Sequence, residues 1–468
     1  MYRMTEFDRD NDISSIVETL GDSNVTQIFV HSVTSLKNIG EYIKIKPELA
    51  KYSERALVLA RPDDLVCVPD DVDNQHLQFL SGLAVGTKKE KVIVASGGVN
   101  TGVGASLSDL VAANPDALLT IRRLINPNKK IILNPYITTH REVSLASILE
   151  KVLATKIHLD GGAPEAVSYA DQKCKVRNKA LALGIPVPQG EVIEIMRGED
   201  GRPLSMTPIE SGVGRHIHRT GRVVIKGTHG TSGDSTFIIE KGALSIKKAL
   251  NEIAEKDYNT TYIVESMIDF TVSPNVLMYI EPGKGDIFCV GITDQVLNEN
   301  LMHEGNIYPS VANTLKDMVL SAKTLSRWLQ AKGYSGLLGF DFIEYFDREK
   351  GLYQHYLAEI NPRTNAATYP RALMEHLNKE QKRKGRPIIR AFLSLNVRTK
   401  AISFADIEKL YGHSFFDPET GKGLVPFNIG CLEYGKFTAA LFGKTRNEVL
   451  NIYKDLSILS QKEEEQLK

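Results

Sequence analysis

Cysteine is scarce and scattered. Cys67, Cys174, Cys289 and Cys431 are the only four in 468 residues, and no two form a CxxC pair. That spacing argues against a zinc site and for a reducing compartment. Net charge is missing as well: 57 basic residues balance 57 acidic ones, which removes the electrostatic case for a nucleic-acid or membrane-surface partner. The basic run at residues 379–386 is short and reads as the solvated face of a helix and loop. No apolar stretch approaches membrane-spanning length, and Met1-Tyr-Arg-Met-Thr-Glu-Phe lacks the apolar centre of a signal peptide, so a soluble cytoplasmic protein is expected. His216, His218 and His229 offer one close pair without neighbouring carboxylates, which is too little for a metal site, and no Ser–His or Cys–His nucleophile signature is present.

What the chain does contain is an acidic hairpin. In Gly339-Phe-Asp-Phe-Ile-Glu-Tyr-Phe, apolar and aromatic residues fill one arm; residues 347–351 supply a polar turn; and Leu352 to Asn361 form the return arm. Residues two apart on a strand share a face, so Glu359 and Asn361 point together while Ile360 turns away. A turn centred near Lys350 sets Asp341 opposite Glu359. Two carboxylates and an amide so placed are costly as bare like charge and favourable around a hard divalent cation such as Mg²⁺. Arg363, two residues on, would face the anion that the metal carries. Taken alone, the stretch serves equally well as a solvated acidic hairpin.

At this length two or three domains are expected. Residues 1–54 form an N-terminal extension with a helical pattern and a strand-like Gln27-Ile-Phe-Val30. From residue 55 to about 165, short apolar runs (Ala56-Leu-Val-Leu-Ala60, Leu65-Val-Cys-Val68, Val92-Ile-Val-Ala95, Ile131-Ile-Leu133) alternate with helical patterns around residues 107–113 and 144–153. That order predicts a parallel sheet covered on its faces. The glycine-rich residues 97–104 lack dinucleotide spacing and read as a flexible loop or a substrate loop.

Residues 166–468 change character. A helix is predicted after Asp171 as N-cap, with Lys173 in its first turn, ending at Gly184 before Ile185-Pro-Val-Pro. A lysine at that end adds a mobile cation to backbone donors already favourable to phosphate. Strand Arg222-Val-Val-Ile-Lys226 leads through a Gly/Thr/Ser loop into Phe237-Ile-Ile-Glu240. Gly230, Thr231, Ser232 and Gly233 in this loop could fold over a triphosphate that Lys226 also reaches; the same composition equally suits plain flexible chain. After strand Thr261-Tyr-Ile-Val-Glu265 comes a hinge in which the backbones of Glu265 and Ile268 could read an adenine edge and Asp269 could hold ribose. A long helix carrying Trp328 precedes the acidic hairpin.

Two lysines, a glycine-rich hairpin loop, a strand hinge and the Asp341…Glu359-Ile-Asn361-Pro-Arg363 set stand in one order that resembles the ATP-grasp superfamily over residues 168–370. Asn134-Pro-Tyr-Ile-Thr-Thr139, Val425-Pro-Phe427 and Tyr434-Gly-Lys436 are similar, more loosely, to the pheganomycin-type peptide ligases that carry a pre-ATP-grasp domain. The resemblance implies an α/β protein, α+β in its C-terminal part. A parallel-sheet pre-ATP-grasp domain (55–165) would precede a two-lobed ATP-grasp fold with a lid lobe (190–268), a metal-binding lobe (269–400) and a C-terminal closure (401–468). It implies ATP with one or two Mg²⁺ held by Asp341, Glu359 and Asn361, with Lys173 and Lys226 on the α/β-phosphate region and Arg363 on the transferring phosphoryl group. Where the family often carries an acidic residue for ribose, this chain has Val272 and Ser273, which leaves the ribose contact open. The implied reaction joins a carboxylate to an amine or peptide through an acyl phosphate. A small-molecule kinase and a nucleotide-binding regulator without turnover are the alternatives. A homodimer is a reasonable expectation for an enzyme of this size.

Overall fold

The computed structural model describes residues 13–21, 23–36, 46–95, 105–229, 235–283, 285–299 and 301–465. The first sheet is parallel throughout. It comprises β1 (Val25–Val30), β2 (Leu65–Val68), β3 (Val92–Val94), β4 (Lys130–Pro135) and β5 (Ile157–Leu159), in the order β3-β2-β1-β4-β5. These strands are apolar on both sides because helices cover both faces. Leu65, Cys67, Ile131 and Leu133 pack against the helices Leu107–Ala113, Pro115–Leu124 and His140–Leu153. Each of these helices starts on a matched cap: Ser106, Asn114, and the reciprocal Thr139–Glu142 capping box.

Two local expectations are corrected here. Ala56-Leu-Val-Leu-Ala60 is not a strand: residues Pro47–Val58 form a 3-10 helical segment. Pro47 opens the segment and its apolar end is fully buried, so a short apolar run mimicked a core strand. The segment read as an N-terminal extension also supplies β1, the central strand of the sheet, paired with β2 and β4.

A four-stranded antiparallel sheet follows: β6 (Gly190–Glu194), β7 (Arg222–Gly227), β8 (Thr236–Glu240) and β9 (Thr261–Ser266), ordered β6-β9-β7-β8. Helices Thr207–Thr220 and Ala243–Lys256 lie on it. The largest sheet has eight antiparallel strands: β10 (Pro274–Ile280), β11 (Ile287–Leu297), β12 (His303–Tyr308), β13 (Gly336–Asp347), β14 (Leu352–Asn361), β15 (Ala391–Arg398), β16 (Gly423–Asn428) and β17 (Lys436–Gly443). Their order is β14-β13-β10-β11-β12-β15-β17-β16. Helix Leu315–Ala331 packs its apolar stripe on this sheet beside Phe340, Phe342 and Ile360. Glu344, fully buried on the same strand, accepts from the backbone N–H groups of Asn313 (2.7 Å) and Thr314 (2.8 Å) at that helix's N-terminus. A second core joins β2, the 3-10 segment, helix Thr368–Arg383 and the C-terminal strands. Among the described residues no helix is long and apolar enough to cross a membrane.

Candidate functional site

One cavity of about 430 Å³ lies over the eight-stranded sheet, and Lys173, Lys226, Asp341, Glu359, Asn361 and Arg363 all line it. The hairpin β13–β14 brings the acidic set together through an irregular register. Near the turn Asp347 pairs with Leu352 and Phe342 with Leu357, whereas Asp341 pairs with Glu359 and Gly339 with Asn361. Ala358 is the extra residue. Without this bulge the turn register would put Ala358 opposite Asp341 and send Glu359 to the core face.

Asp341 is buried; its Oδ2 accepts from Asn361 Nδ2 at 2.8 Å and its Oδ1 accepts from Asn275 Nδ2. Asn365 Nδ2 donates in turn to Asn275 Oδ1 at 3.2 Å. Burial and the neighbouring Glu359 carboxylate push Asp341 up to about 7. Glu359 moves the other way: burial opposes its charge, but Lys173, Lys226 and Arg363 more than offset it and hold the carboxyl below its usual value. Lys173 Nζ lies 3.3 Å from Glu359 Oε2. Two opposed carboxylates and an amide, all oxygen donors, one acid driven toward its neutral form by the other, fit a hard divalent cation. Among the described residues no group of three His, Cys, Asp or Glu side chains forms a competing metal cluster.

The flanking groups are placed by other elements. Lys173 opens helix Lys173–Ala182, whose N-cap is Gln172; the expected cap, Asp171, instead ends the preceding helix Pro164–Ala170. Two short helices abut here, so the cap position shifted by one residue. The Lys173 N–H donates to Thr228 O at 3.1 Å, tying this helix to the end of β7. Arg363 donates to Asn361 Oδ1 and lies 5.9 Å from the Tyr136 ring, which follows β4 of the parallel sheet.

The hinge residues do not gather at this cavity. Glu265 lies on β9, between β6 and β7, so its backbone pairs within the sheet and is not a free edge for adenine. Its buried carboxylate instead joins Arg177 Nη1 (3.1 Å) and Lys226 Nζ. Asp269 is exposed and paired with Arg222. Neither these two nor Ile268 lines the cavity, whereas Phe270 does. Gly230, Thr231, Ser232 and Gly233, and the loop at residues 97–104, lie outside the described residues. Sequence reading missed Asn275 and Asn365, whose signal was faint: a β-carbon at Gly339 would collide with the Asn365 amide, so the glycine in the hairpin makes room for them.

Residues 53–150 match the family model described as the Pre ATP-grasp domain. Among curated proteins none matches the sequence. Solved structures share the architecture. An N5-carboxyaminoimidazole ribonucleotide synthetase in complex with ADP superposes with a TM-score of 0.51 at 12% identity, over 94% of this chain and 97% of that one. The same synthetase from Staphylococcus aureus, also with ADP, gives 0.50 at 11% identity over 93% and 97%. Biotin carboxylase from Campylobacter jejuni, as a β-γ-ATP complex, gives 0.52 at 12% identity over 91% and 89%. At such identities the likeness is one of fold. Residues 53–150 thus match a pre-ATP-grasp model, and the chain as a whole shares the fold of these synthetases and of biotin carboxylase.

Proposed function

We propose that the protein is an ATP-dependent ligase that joins a carboxylate to an amine or peptide through an acyl phosphate, with a specificity of the pheganomycin type. The observation that carries this reading is the bulged register that sets Asp341, Glu359 and Asn361 on one face of a cavity also lined by Lys173, Lys226 and Arg363. Nucleotide complexes of proteins with the same fold add support. In this reading the lobe at 190–268 is a lid, the lobe at 269–400 carries the metal, and 401–468 closes the domain.

Asp341, Glu359 and Asn361 would hold one or two Mg²⁺, which supply charge neutralisation and polarisation of the β- and γ-phosphates. Lys173 and Lys226 bind the phosphate chain, and Arg363 faces the phosphoryl group as it passes to the substrate carboxylate. The carboxylate is itself the nucleophile, so no side-chain nucleophile is needed; the amine then attacks the acyl carbon and phosphate leaves.

The test is phosphate release with Mg-ATP across a panel of carboxylic acids and amines, followed by mass detection of the joined product. Glu359→Ala is expected to lower turnover by on the order of 10²-fold or more with unchanged thermal unfolding, and substantial activity in this variant refutes the metal assignment. Lys226→Ala should weaken nucleotide binding about tenfold. A stable phosphoester product would mean a kinase.

A further inference from the structure

The cavity extends beyond the phosphate-handling residues to the 3-10 segment Pro47–Val58, which presents Glu48, Tyr52 and Arg55 to it. The carboxylates around this segment are engaged elsewhere. Glu48 accepts from Lys436 Nζ at 2.9 Å. Glu54 Oε2 takes the backbone N–H groups of Ile429 (3.1 Å) and Gly430 (2.8 Å). Asp70 and Glu433 flank Lys51 at 2.6 and 3.1 Å. Glu304, also in the cavity lining, accepts from Asn298 Nδ2 at 3.1 Å, and among the described residues no carboxylate forms an ion pair with Arg55, whose Nε is buried without a hydrogen-bond partner. Its Cζ lies over the Tyr52 ring, 3.7 Å from the centroid, a cation–π contact that holds the guanidinium at the cavity wall. Arg55 and Arg363 both line this cavity.

A half-buried guanidinium without a counter-anion is costly unless a ligand supplies one, and its fork matches a planar or tetrahedral oxyanion. We propose that Arg55 anchors a second oxyanion of the substrate, a carboxylate or phosphoryl group separate from the carboxylate that is activated. The substrate class is thus an acid with two anionic groups, or an acid paired with an acceptor that carries its own. In naming the ligand a substrate this rests on the ligase reading; the anion site itself does not.

Succinate and inorganic phosphate, titrated calorimetrically into the full chain, serve as probes, with a separate Mg-ATP titration on each variant. At least one probe is expected to bind the wild type saturably, about tenfold weaker to Arg55→Met and several-fold weaker to Arg55→Lys, while Mg-ATP affinity stays unchanged in both variants. Tighter binding of succinate assigns a carboxylate, and tighter binding of phosphate assigns a phosphoryl group. Equal probe affinity in wild type and both variants, or no saturable binding of either probe to wild type, overturns the proposal. Absence of Mg-ATP binding to wild type would instead count against the ligase reading alone.

Discussion

Glu265 carries a side-chain contact that a reading of its backbone alone leaves out. Its carboxylate lies between Arg177 and Lys226. All three side chains are largely buried, so neutralising the acid leaves two cations facing one another. Glu265→Gln is expected to cost about 3 kcal/mol in urea unfolding and to free Lys226, which would show as altered nucleotide affinity. Loss of less than about 0.5 kcal/mol would mean the cluster is open to solvent. Gly339 shows the opposite case, in which an absent side chain has a purpose. The space left by its missing β-carbon admits the Asn365 amide, which orients Asn275 on Asp341.

At the level of the hairpin, the acidic set depends on one extra residue. Strand periodicity correctly groups Glu359 with Asn361, and a turn assumed at Lys350 puts Asp341 opposite Glu359, but the observed pairing near the turn is one position off and Ala358 makes up the difference. Deleting Ala358 would straighten the strand and keep Glu359 facing Asp341. Inserting a second alanine after it would take Glu359 out of register with Asp341, setting it opposite Phe340 with the bulge kept and opposite Gly339 with the strand straightened. The deletion variant is expected to retain Mg²⁺-dependent nucleotide binding and the insertion variant to lose it, with a lower melting temperature. Equal binding by both would show that the register is not what assembles the site. The other elements were legible to differing degrees. Residues 222–227, 261–266, 315–331 and the two hairpin arms announce themselves through period and turn residues. Residues 56–60 did not, because a short, fully buried apolar run has no period to distinguish strand from helix.

Across the whole molecule, a buried polar joint ties the parallel sheet to helix Thr368–Arg383. His31, at the end of β1, bonds the Tyr369 hydroxyl at 2.9 Å through Nδ1 and Asn134 Oδ1 at 3.2 Å through Nε2. Burial lowers His31 from 6.5 to about 4, opposed only partly by the Asn134 bond. The unfolded chain therefore binds this proton more readily than the folded one between those two values. Stability is fully present above pH 6.5 and falls as the pH drops toward 4. In His31→Gln the melting temperature should fall less steeply over that interval, and an identical acid limb would remove His31 from the joint's pH response.

Strand period and the turn were enough to set two carboxylates and an amide together with an arginine just beyond, because that argument is local; Lys173 and Lys226 joined them only through the resemblance of their order to a known superfamily. The Ala358 bulge, the Glu265 clamp, β1 at the centre of its sheet and the entry of Arg55 into the cavity were not legible. Each arises from contacts between segments far apart in sequence, where the pairing partner and the packing volume, and not local periodicity, set which face a residue shows.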